Sequence, residues 1–447
     1  MATRSFGPAG ALSGTISAPP DKSISHRAAL LAAFGEGSCR IFRFLDAADT
    51  RSTLEVVAAL GAGIRPIEQP DGSLTVEVTG FGLRGARAEA GLGVGNAGTL
   101  MRLLCGLLAG QPGAVFELDG DASIRGRPMG RIVEPLGLMG AEIETADGGR
   151  PPLRISGRPL RGIDYTLPVA SAQVKSCLLL AGLLADGETT VREPVMTRDH
   201  TERMLAAAGV KLISRPRTAL PTAPPPAMIT LSAVESLALP DLRVAGDLSS
   251  AAFPLVAALL VPGSRVRIED VGLNPTRVGL LGILNRMGAR IEVEESGYQA
   301  GEPTGAINAR HGSLQGTRVG AEEVPLAIDE LPLVGLLGAF AEGETVVSGA
   351  EELRHKESDR IATVVEGLRG LGAKIEALDD GFVVNGTGGL RGGWVDSAGD
   401  HRIAMLGAIA GLASAEGVAV RGSEAAAISY PGFEADLGLL AGGDAGT

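Results

Sequence analysis

The chain is 447 residues long, with 45% hydrophobic and 21% charged residues, a globular mix that excludes global disorder and leaves room for two or three domains. Its 52 Asp and Glu outnumber 40 Lys and Arg, and the formal charge of -12 speaks against a long nucleic acid as partner. Apolar runs of about eleven residues, such as 251–261, are too short to span a bilayer. No signal-peptide core opens the chain, and Cys39, Cys105 and Cys177 form no CxxC pair, so a reduced cytoplasmic protein with neither a disulfide framework nor a zinc site is expected. Only Lys22, Lys175, Lys211, Lys356 and Lys374 are lysines, which makes a lysine the more informative cation here.

In chain order, a helix-length apolar run closed by a glycine and followed by a short strand recurs six times. The copies are ALLAAFGEGSCRI, LLCGLLAGQPGAVFEL, LLLAGLLADGETTV, LVAALLVPGSRVRI, VGLLGAFAEGETVV and LGAIAGLASAEGVAV. Their turn glycines, Gly37, Gly113, Gly187, Gly263, Gly343 and Gly417, lie 76, 74, 76, 80 and 74 residues apart. Between them runs a second pattern, found five times: ALGAGIRPI, LMGAEIETA, AAGVKLIS, RMGARIEVE and GLGAKIEAL. In these a helix ends at a C-terminal glycine before another strand begins. Six units of about 75 residues, each with two helices alternating with short strands, account for the whole chain. The proline-rich stretch 214–227 can be neither interior helix nor central strand. It reads as a loop just past the third unit, near a domain boundary, which suggests two lobes of three units with a cleft between them.

Ahead of each apolar helix stands a polar cluster, 14 to 17 residues before the turn glycine. These are Asp21-Lys22-Ser23, Asn96-Ala97-Gly98-Thr99, Ser171-Ala172-Gln173, Gly246 to Ser250, Asp329-Glu330 and Asp400-His401-Arg402. Helices of the second pattern start at Asp49-Thr50-Arg51, Arg127-Pro128, Arg198-Asp199-His200, Asn274 to Arg277 and Lys356 to Arg360. Capping of free N–H groups accounts for Asp49, Asp247 and Asn274. It accounts badly for Lys22, Arg27, Arg127, Arg198, Lys356, Arg360 and Arg402, because a cation at the positive end of a helix dipole is unfavourable. An anion held between helix N–H groups and these side chains resolves the conflict. GNAGT alone is a weak phosphate-loop signal, His200 and His401 lack metal-ligand spacing, and no GxSxG elbow marks a nucleophile. What remains is a site rich in cations with a few carboxylates, Asp329 and Glu357 foremost, able to bind two anionic substrates and move protons between them.

PPDKSISHRA, GNAGTLMRLL, ASAQVKSCLLLAGL, TRDHTERM, AIDELPL, LRHKESDRIA and GDHRIAM, spread from residue 19 to 405, closely resemble the motifs of the EPSP synthase family, in the family's order. The resemblance implies an α/β (α+β) two-lobed enolpyruvyl transferase fold, an inside-out α/β barrel with three βαβαββ repeats in each lobe. Residues 21–241 would form the first lobe and 1–20 plus 242–447 the second, with the active site in the interlobe cleft. It implies transfer of the enolpyruvyl group of phosphoenolpyruvate to the 5-hydroxyl of shikimate 3-phosphate, with release of phosphate, by addition and elimination. A cytoplasmic monomer with no metal and no organic cofactor is the implied state.

Carried over by motif, Lys22, Ser23, Arg27, Ser171, Ala172, Gln173, Arg198, Asp329 and Lys356 fall to shikimate 3-phosphate. Lys22, Asn96, Gly98, Arg127, Gln173, Arg360 and Arg402 fall to phosphoenolpyruvate. Asp329 is the implied base at the 5-hydroxyl, while Glu357 and Lys22 share proton transfer at the enol carbon, with the split between them open. TRDHTERM resembles the bacterial class II branch, and ISYPGF carries Ile428 where class I members have a lysine. Glyphosate resembles phosphoenolpyruvate but is longer, and Gly98, where insensitive class II relatives carry alanine, is expected to admit it.

Two other readings stand beside this one. UDP-N-acetylglucosamine 1-carboxyvinyltransferases share fold and chemistry, but their C-x-I-x-x-R-P loop would align with 122–128, where Ala122 replaces the cysteine. Lys22-Ser23 also stands where that family has Lys-Asn. A non-catalytic repeat scaffold for an anionic partner would use the polar motifs as caps and release no phosphate. A nucleic-acid-acting relative is disfavoured by charge and by ten Phe, three Tyr and one Trp for base stacking.

Overall fold

A helix that is apolar on every side has no face to offer to water and must be enclosed by other elements. The computed structural model, which describes residues 2–88, 90–216 and 227–442, encloses six such helices in two units. The first unit comprises residues 20–245 with 298–302, as far as they are described, and the second residues 2–19, 246–297 and 303–442. Helices of the first unit are α1 (Lys22–Ala33), α2 (Ala48–Ala59), α3 (Gly98–Ala109), α4 (Ala122–Arg125), α5 (Gly130–Leu138), α6 (Ala172–Gly182) and α7 (His200–Ala207). The second unit holds α8 (Leu248–Leu260), α9 (Gly279–Arg286), α10 (Val324–Ala327), α11 (Leu331–Phe340), α12 (Arg360–Gly370), α13 (His401–Ala413) and α14 (Phe433–Leu440). Every residue of α8 is buried, and α1, α3, α6, α11 and α13 expose little more than their ends. Each unit builds its own hydrophobic core around its three apolar helices.

The sheets lie outside those helices, with strands such as Ser38–Phe44 and Arg150–Ser156 alternating exposed and buried residues. One order repeats: an edge strand, a central strand parallel to it, then two further strands. In the first unit the three sheets run Leu242–Arg243, Ser38–Phe44, Leu74–Thr79, Gly63–Glu68; Leu92–Gly93, Val115–Asp119, Arg150–Ser156, Glu142–Ala146; and Asp164–Thr166, Glu188–Glu193, Ala227–Ser232, Leu212–Pro216. The second unit repeats the order twice, with Ser13–Ser17 parallel to Arg265–Gly272 and Arg318–Val319 parallel to Glu344–Val347. A parallel pair requires a crossover, and α3, α6 and α11 are the crossovers of three of these pairs, giving βαβαββ. In the other two the edge strands are exchanged: Ser13–Ser17 leads through α1 to Ser38–Phe44 but pairs with Arg265–Gly272, and Leu242–Arg243 leads through α8 to Arg265–Gly272 but pairs with Ser38–Phe44. The sixth copy is abbreviated. After Val418–Arg421 the chain enters a 3-10 turn, Ser423–Ile428, and α14, while Thr3–Phe6 supplies the antiparallel strand. That is why the second sequence pattern occurs five times and not six.

All six turn glycines have φ between +77° and +90°, and the five C-terminal glycines of the second pattern, Gly61, Gly140, Gly209, Gly288 and Gly372, are also left-handed. Both sets mark backbone that an L side chain resists.

Three expectations change. Residues 217–226 of the proline-rich stretch lie outside the described residues, but the strands on either side, Leu212–Pro216 and Ala227–Ser232, pair antiparallel. The stretch therefore joins two strands within the third repeat and does not follow it; Leu212–Pro216 is an edge strand, where proline is tolerated. Asp49 is not a cap: Ala47 holds the N-cap position of α2, and Asp49 lies in its first turn, where its charge suits the dipole. Asn274 closes a turn ahead of α9, accepting from the Thr276 N–H at 2.9 Å and its hydroxyl at 2.7 Å. Asp247 does cap α8, through the Ser249 N–H at 2.9 Å.

Candidate active site

In the first unit, Asp21 caps α1 and places Lys22 at its first position, where the ammonium lies 3.0 Å from Asp49 Oδ2. One turn on, Arg27 is 4% exposed. Its Nε donates to Thr201 Oγ1 at 2.8 Å, Nη2 to Ser176 Oγ at 3.0 Å and Nη1 to the Ser23 carbonyl at 3.0 Å. Thr201 in turn bonds Ser176 at 2.7 Å, so one guanidinium links α1, α6 and α7. Between these cations, His26 bonds Thr53 at 2.6 Å. Burial pushes its pKa down to about 3 against the pull of Asp49, so the ring is neutral near pH 7 and adds no charge.

A second group forms where α3 begins without a side-chain cap. Arg127 Nη2 lies 3.5 Å from Asn96 Oδ1 and 3.2 Å from Ser123 Oγ, and Asn96 donates to Asp121 at 2.8 Å. Gly98 is the first residue of α3; a Cβ there would stand 2.8 Å from Arg127 Nη1 and 3.4 Å from Arg102 Nη1. Gln173 joins the same group, accepting from Arg102 at 2.5 Å and donating to Thr99 at 3.1 Å. Ser171 caps α6 through Val174 N at 3.4 Å, with Ala172 as the first helical residue. Arg198 is half-buried just before α7, three residues from the Thr201 that holds Arg27.

The second unit gathers Asp329, Lys356, Glu357, Arg360 and Arg402. Asp329 precedes α11, Lys356 and Glu357 follow the 3-10 turn Glu351–His355, and Arg360 and Arg402 open α12 and α13. Arg360, 1% exposed, donates to Asp400 Oδ2 at 2.8 Å, Asp329 Oδ1 at 3.0 Å and Glu357 Oε2 at 2.6 Å. Burial opposes its charge, but the three carboxylates outweigh it and raise its pKa further. Arg402 Nη2 is 3.6 Å from Asp329 Oδ2. Dense protein around the Lys356 ammonium lowers its pKa below the ordinary lysine value, with Asp329 opposing the shift. Asp400 also caps α13 through Arg402 N at 2.9 Å, which ties α12 to α13.

The anion argument from helix dipoles therefore holds unevenly. Arg360 finds its anions inside the protein, and Lys22 finds Asp49. Sequence reasoning missed Arg102, although a lone cation four residues after Gly98 in an apolar helix shares its face. It also missed the partners Thr201 and Ser176, which carry no local signal, and named Asp400 only within the polar cluster ahead of α13. His200 bonds Glu302 Oε1 at 2.7 Å. Among the described residues no group of three His, Cys, Asp or Glu could hold a metal ion. Cys39, Cys105 and Cys177 are buried and free, and no described helix is long and apolar enough to cross a membrane. Ile428 packs half-buried against the second core.

Comparison with known proteins finds similarity along nearly the whole chain. The family model described as EPSP synthase (3-phosphoshikimate 1-carboxyvinyltransferase) matches residues 7–437. The 3-phosphoshikimate 1-carboxyvinyltransferase of Thermus thermophilus is 50% identical over 433 residues, covering 96% of this chain and 97% of the relative. That of Halorhodospira halophila is 50% identical over 430 residues, covering 95% and 93%. The solved EPSP synthase of Acinetobacter baumannii superposes with a TM-score of 0.83 at 41% identity and 98% coverage of both chains. The enolpyruvyl transferase NikO of Streptomyces tendae, at 20% identity and a TM-score of 0.75, shares the fold.

Proposed function

The chain belongs to the EPSP synthase (3-phosphoshikimate 1-carboxyvinyltransferase) family, and from that premise we propose how its side chains divide one reaction. The enzyme is a transferase of the shikimate pathway that moves the enolpyruvyl group of phosphoenolpyruvate to the 5-hydroxyl of shikimate 3-phosphate and releases phosphate. Two anions repel unless cations offset them, and the chain supplies such cations in two sets. Lys22, Ser23, Arg27, Ser171, Ala172, Gln173, Arg198 and Lys356 bind shikimate 3-phosphate. Lys22, Asn96, Gly98, Arg127, Gln173, Arg360 and Arg402 bind phosphoenolpyruvate.

In the addition step, Asp329 takes the 5-hydroxyl proton as that oxygen bonds to the enol carbon bearing phosphate, while the methylene receives a proton from the Lys22 and Glu357 pair of candidates. Protonation makes the attacked carbon cationic, and a nearby carboxylate stabilises it. Elimination then returns the methyl proton and breaks the carbon–oxygen bond to phosphate. No metal or organic cofactor enters these steps. The observation that carries the assignment is the bridge made by Arg360, which bonds Asp329 and Glu357 together and so fixes the two carboxylates proposed for proton transfer. We place the reaction in the cytoplasm, which buried, free cysteines fit, and in a monomer.

Phosphate release from phosphoenolpyruvate tests the reading: it should require shikimate 3-phosphate. Release without the co-substrate, or none with both present, would overturn it. Arg198→Ala should raise the KM for shikimate 3-phosphate well above any change for phosphoenolpyruvate; equal changes would remove Arg198 from its assigned side.

A further inference from the structure

Lys175 is fully buried in α6, two residues after Gln173, and takes no part in the chemistry above. Its ammonium meets three oxygens: Glu202 Oε1 at 2.7 Å, Glu193 Oε2 at 3.0 Å and the Thr197 carbonyl at 3.3 Å. The Thr197 hydroxyl donates to the other Glu193 oxygen. Burial by itself would lower the lysine pKa, but the two carboxylates raise it above its ordinary value. One lysine does not fully satisfy two buried acids. Burial raises the Glu202 pKa against the pull of Lys175, and among the described residues Glu202 Oε2 is buried without a hydrogen-bond partner.

Buried ion networks of this kind contribute little net stability compared with apolar packing of equal volume, so folding alone explains this one poorly. Its position explains it better. Thr197 is the residue before Arg198, so the ammonium grips the backbone from which Arg198 projects. Beside it, Ser176 bonds Thr201, and both hydroxyls hold Arg27. Consecutive residues of α6, Lys175 and Ser176, thus meet consecutive residues of α7, Glu202 and Thr201.

We infer that Lys175, with Glu193 and Glu202, positions the shikimate 3-phosphate ligands, holding Arg198 and the first turn of α6 in register with Arg27. The inference rests on the assignment of Arg27, Arg198 and Ser171 to Gln173 to that substrate. None of the three network residues touches substrate; they act through Arg198 and α6.

Glu202→Ala is expected to raise the KM for shikimate 3-phosphate about tenfold, with kcat and the KM for phosphoenolpyruvate moving less than about threefold, as displacement of intact ligands does. Glu202→Gln keeps the shape and an oxygen for Lys175, and should return that KM to within about threefold of the parent value. Leu180→Ala, a core truncation on the same helix outside the network, reports what general loosening does. In the Arg198→Ala background, Glu202→Ala should add little, because the residue it positions is gone. An equal rise in Leu180→Ala, no selective rise in Glu202→Ala, or a Gln variant as impaired as Ala would each overturn the proposal. Should Glu202→Ala fail to fold, Thr197→Val removes only the hydroxyl link to Glu193 and is expected to raise the same KM about threefold; an unchanged KM then overturns it. If Arg198→Ala itself leaves that KM unchanged, the ligand assignment has failed; if it raises the KM and Glu202→Ala does not, only the positioning role has.

Discussion

Arg27 in the first unit and Arg360 in the second are both buried arginines near the start of a helix, but their surroundings differ in kind. Arg27 donates to two hydroxyls and a backbone carbonyl. Arg360 bonds three carboxylates. Hydroxyl and carbonyl oxygens orient a guanidinium, whereas carboxylates also offset part of its charge, so that Arg360, besides facing phosphoenolpyruvate, clamps acids that must themselves be placed. The same residue type, on a helix of each pattern, therefore does different work, and the difference lies in its neighbours.

The largest expected effect separates the two on stability. Arg360→Met would leave Asp400, which is 0% exposed, as an uncompensated buried charge, at a cost of about 3–5 kcal/mol. Arg27→Met leaves Ser176 and Thr201 still bonded to each other, at a cost of about 1–2 kcal/mol. Urea unfolding of both variants measures the gap, and equal costs would erase the distinction. The pH dependence should also reverse. Burial alone would raise the Asp400 pKa, but Arg360 holds it below the ordinary 3.8, so its contribution to stability is present above that value and lost as pH falls through the folded pKa. Without Arg360, burial dominates and the folded pKa rises, so the variant should lose stability as pH climbs from about 4 to about 7. Unfolding midpoints that move with pH in the same direction in both proteins would contradict this account.

Next in size is a catalytic effect that leaves the clamp in place. Asp329→Ala removes one of three acids from Arg360 and leaves Asp400 and Glu357 on it, so unfolding should change little. Turnover should fall about 100-fold or more, the usual scale for loss of a general base, while shikimate 3-phosphate binding is much less affected. Turnover close to that of the parent enzyme would take Asp329 out of the proton-transfer role.

How much of this could be read beforehand depended on how local the cause was. The six turn glycines and the five C-terminal glycines were legible because left-handed backbone strongly favours glycine. The enclosed helices were legible because they are apolar all round. The edge-strand proline at 216 was misread because composition does not distinguish a loop from the last residue of an outer strand. Lys22 and Asp49 stand 27 residues apart and Arg360 and Asp400 stand 40 apart, pairs that only the packing of successive helices creates. Helix dipoles read from sequence show the cation and not its partner, which overstated the need for an outside anion at Arg360.

The smallest expected effect concerns Gly98, where sequence reasoning gives the added methyl of Gly98→Ala to the space a longer inhibitor would use. The structure puts Arg127 there first: the new Cβ would stand 2.8 Å from its Nη1, closer than van der Waals contact allows, and 3.4 Å from Arg102 Nη1. Both neighbours are the far ends of flexible side chains, so the fold can absorb the methyl by swinging Arg127 aside at little cost in stability. The displaced guanidinium is a proposed phosphoenolpyruvate ligand, and Arg102 holds Gln173, another. The KM for phosphoenolpyruvate should therefore rise about three- to tenfold, with shikimate 3-phosphate affected less. Glyphosate inhibition should weaken in similar proportion, since both ligands lose the same cation. An inhibition constant that rises while the KM for phosphoenolpyruvate stays fixed would restore the purely steric account and show that Arg127 keeps its place beside alanine.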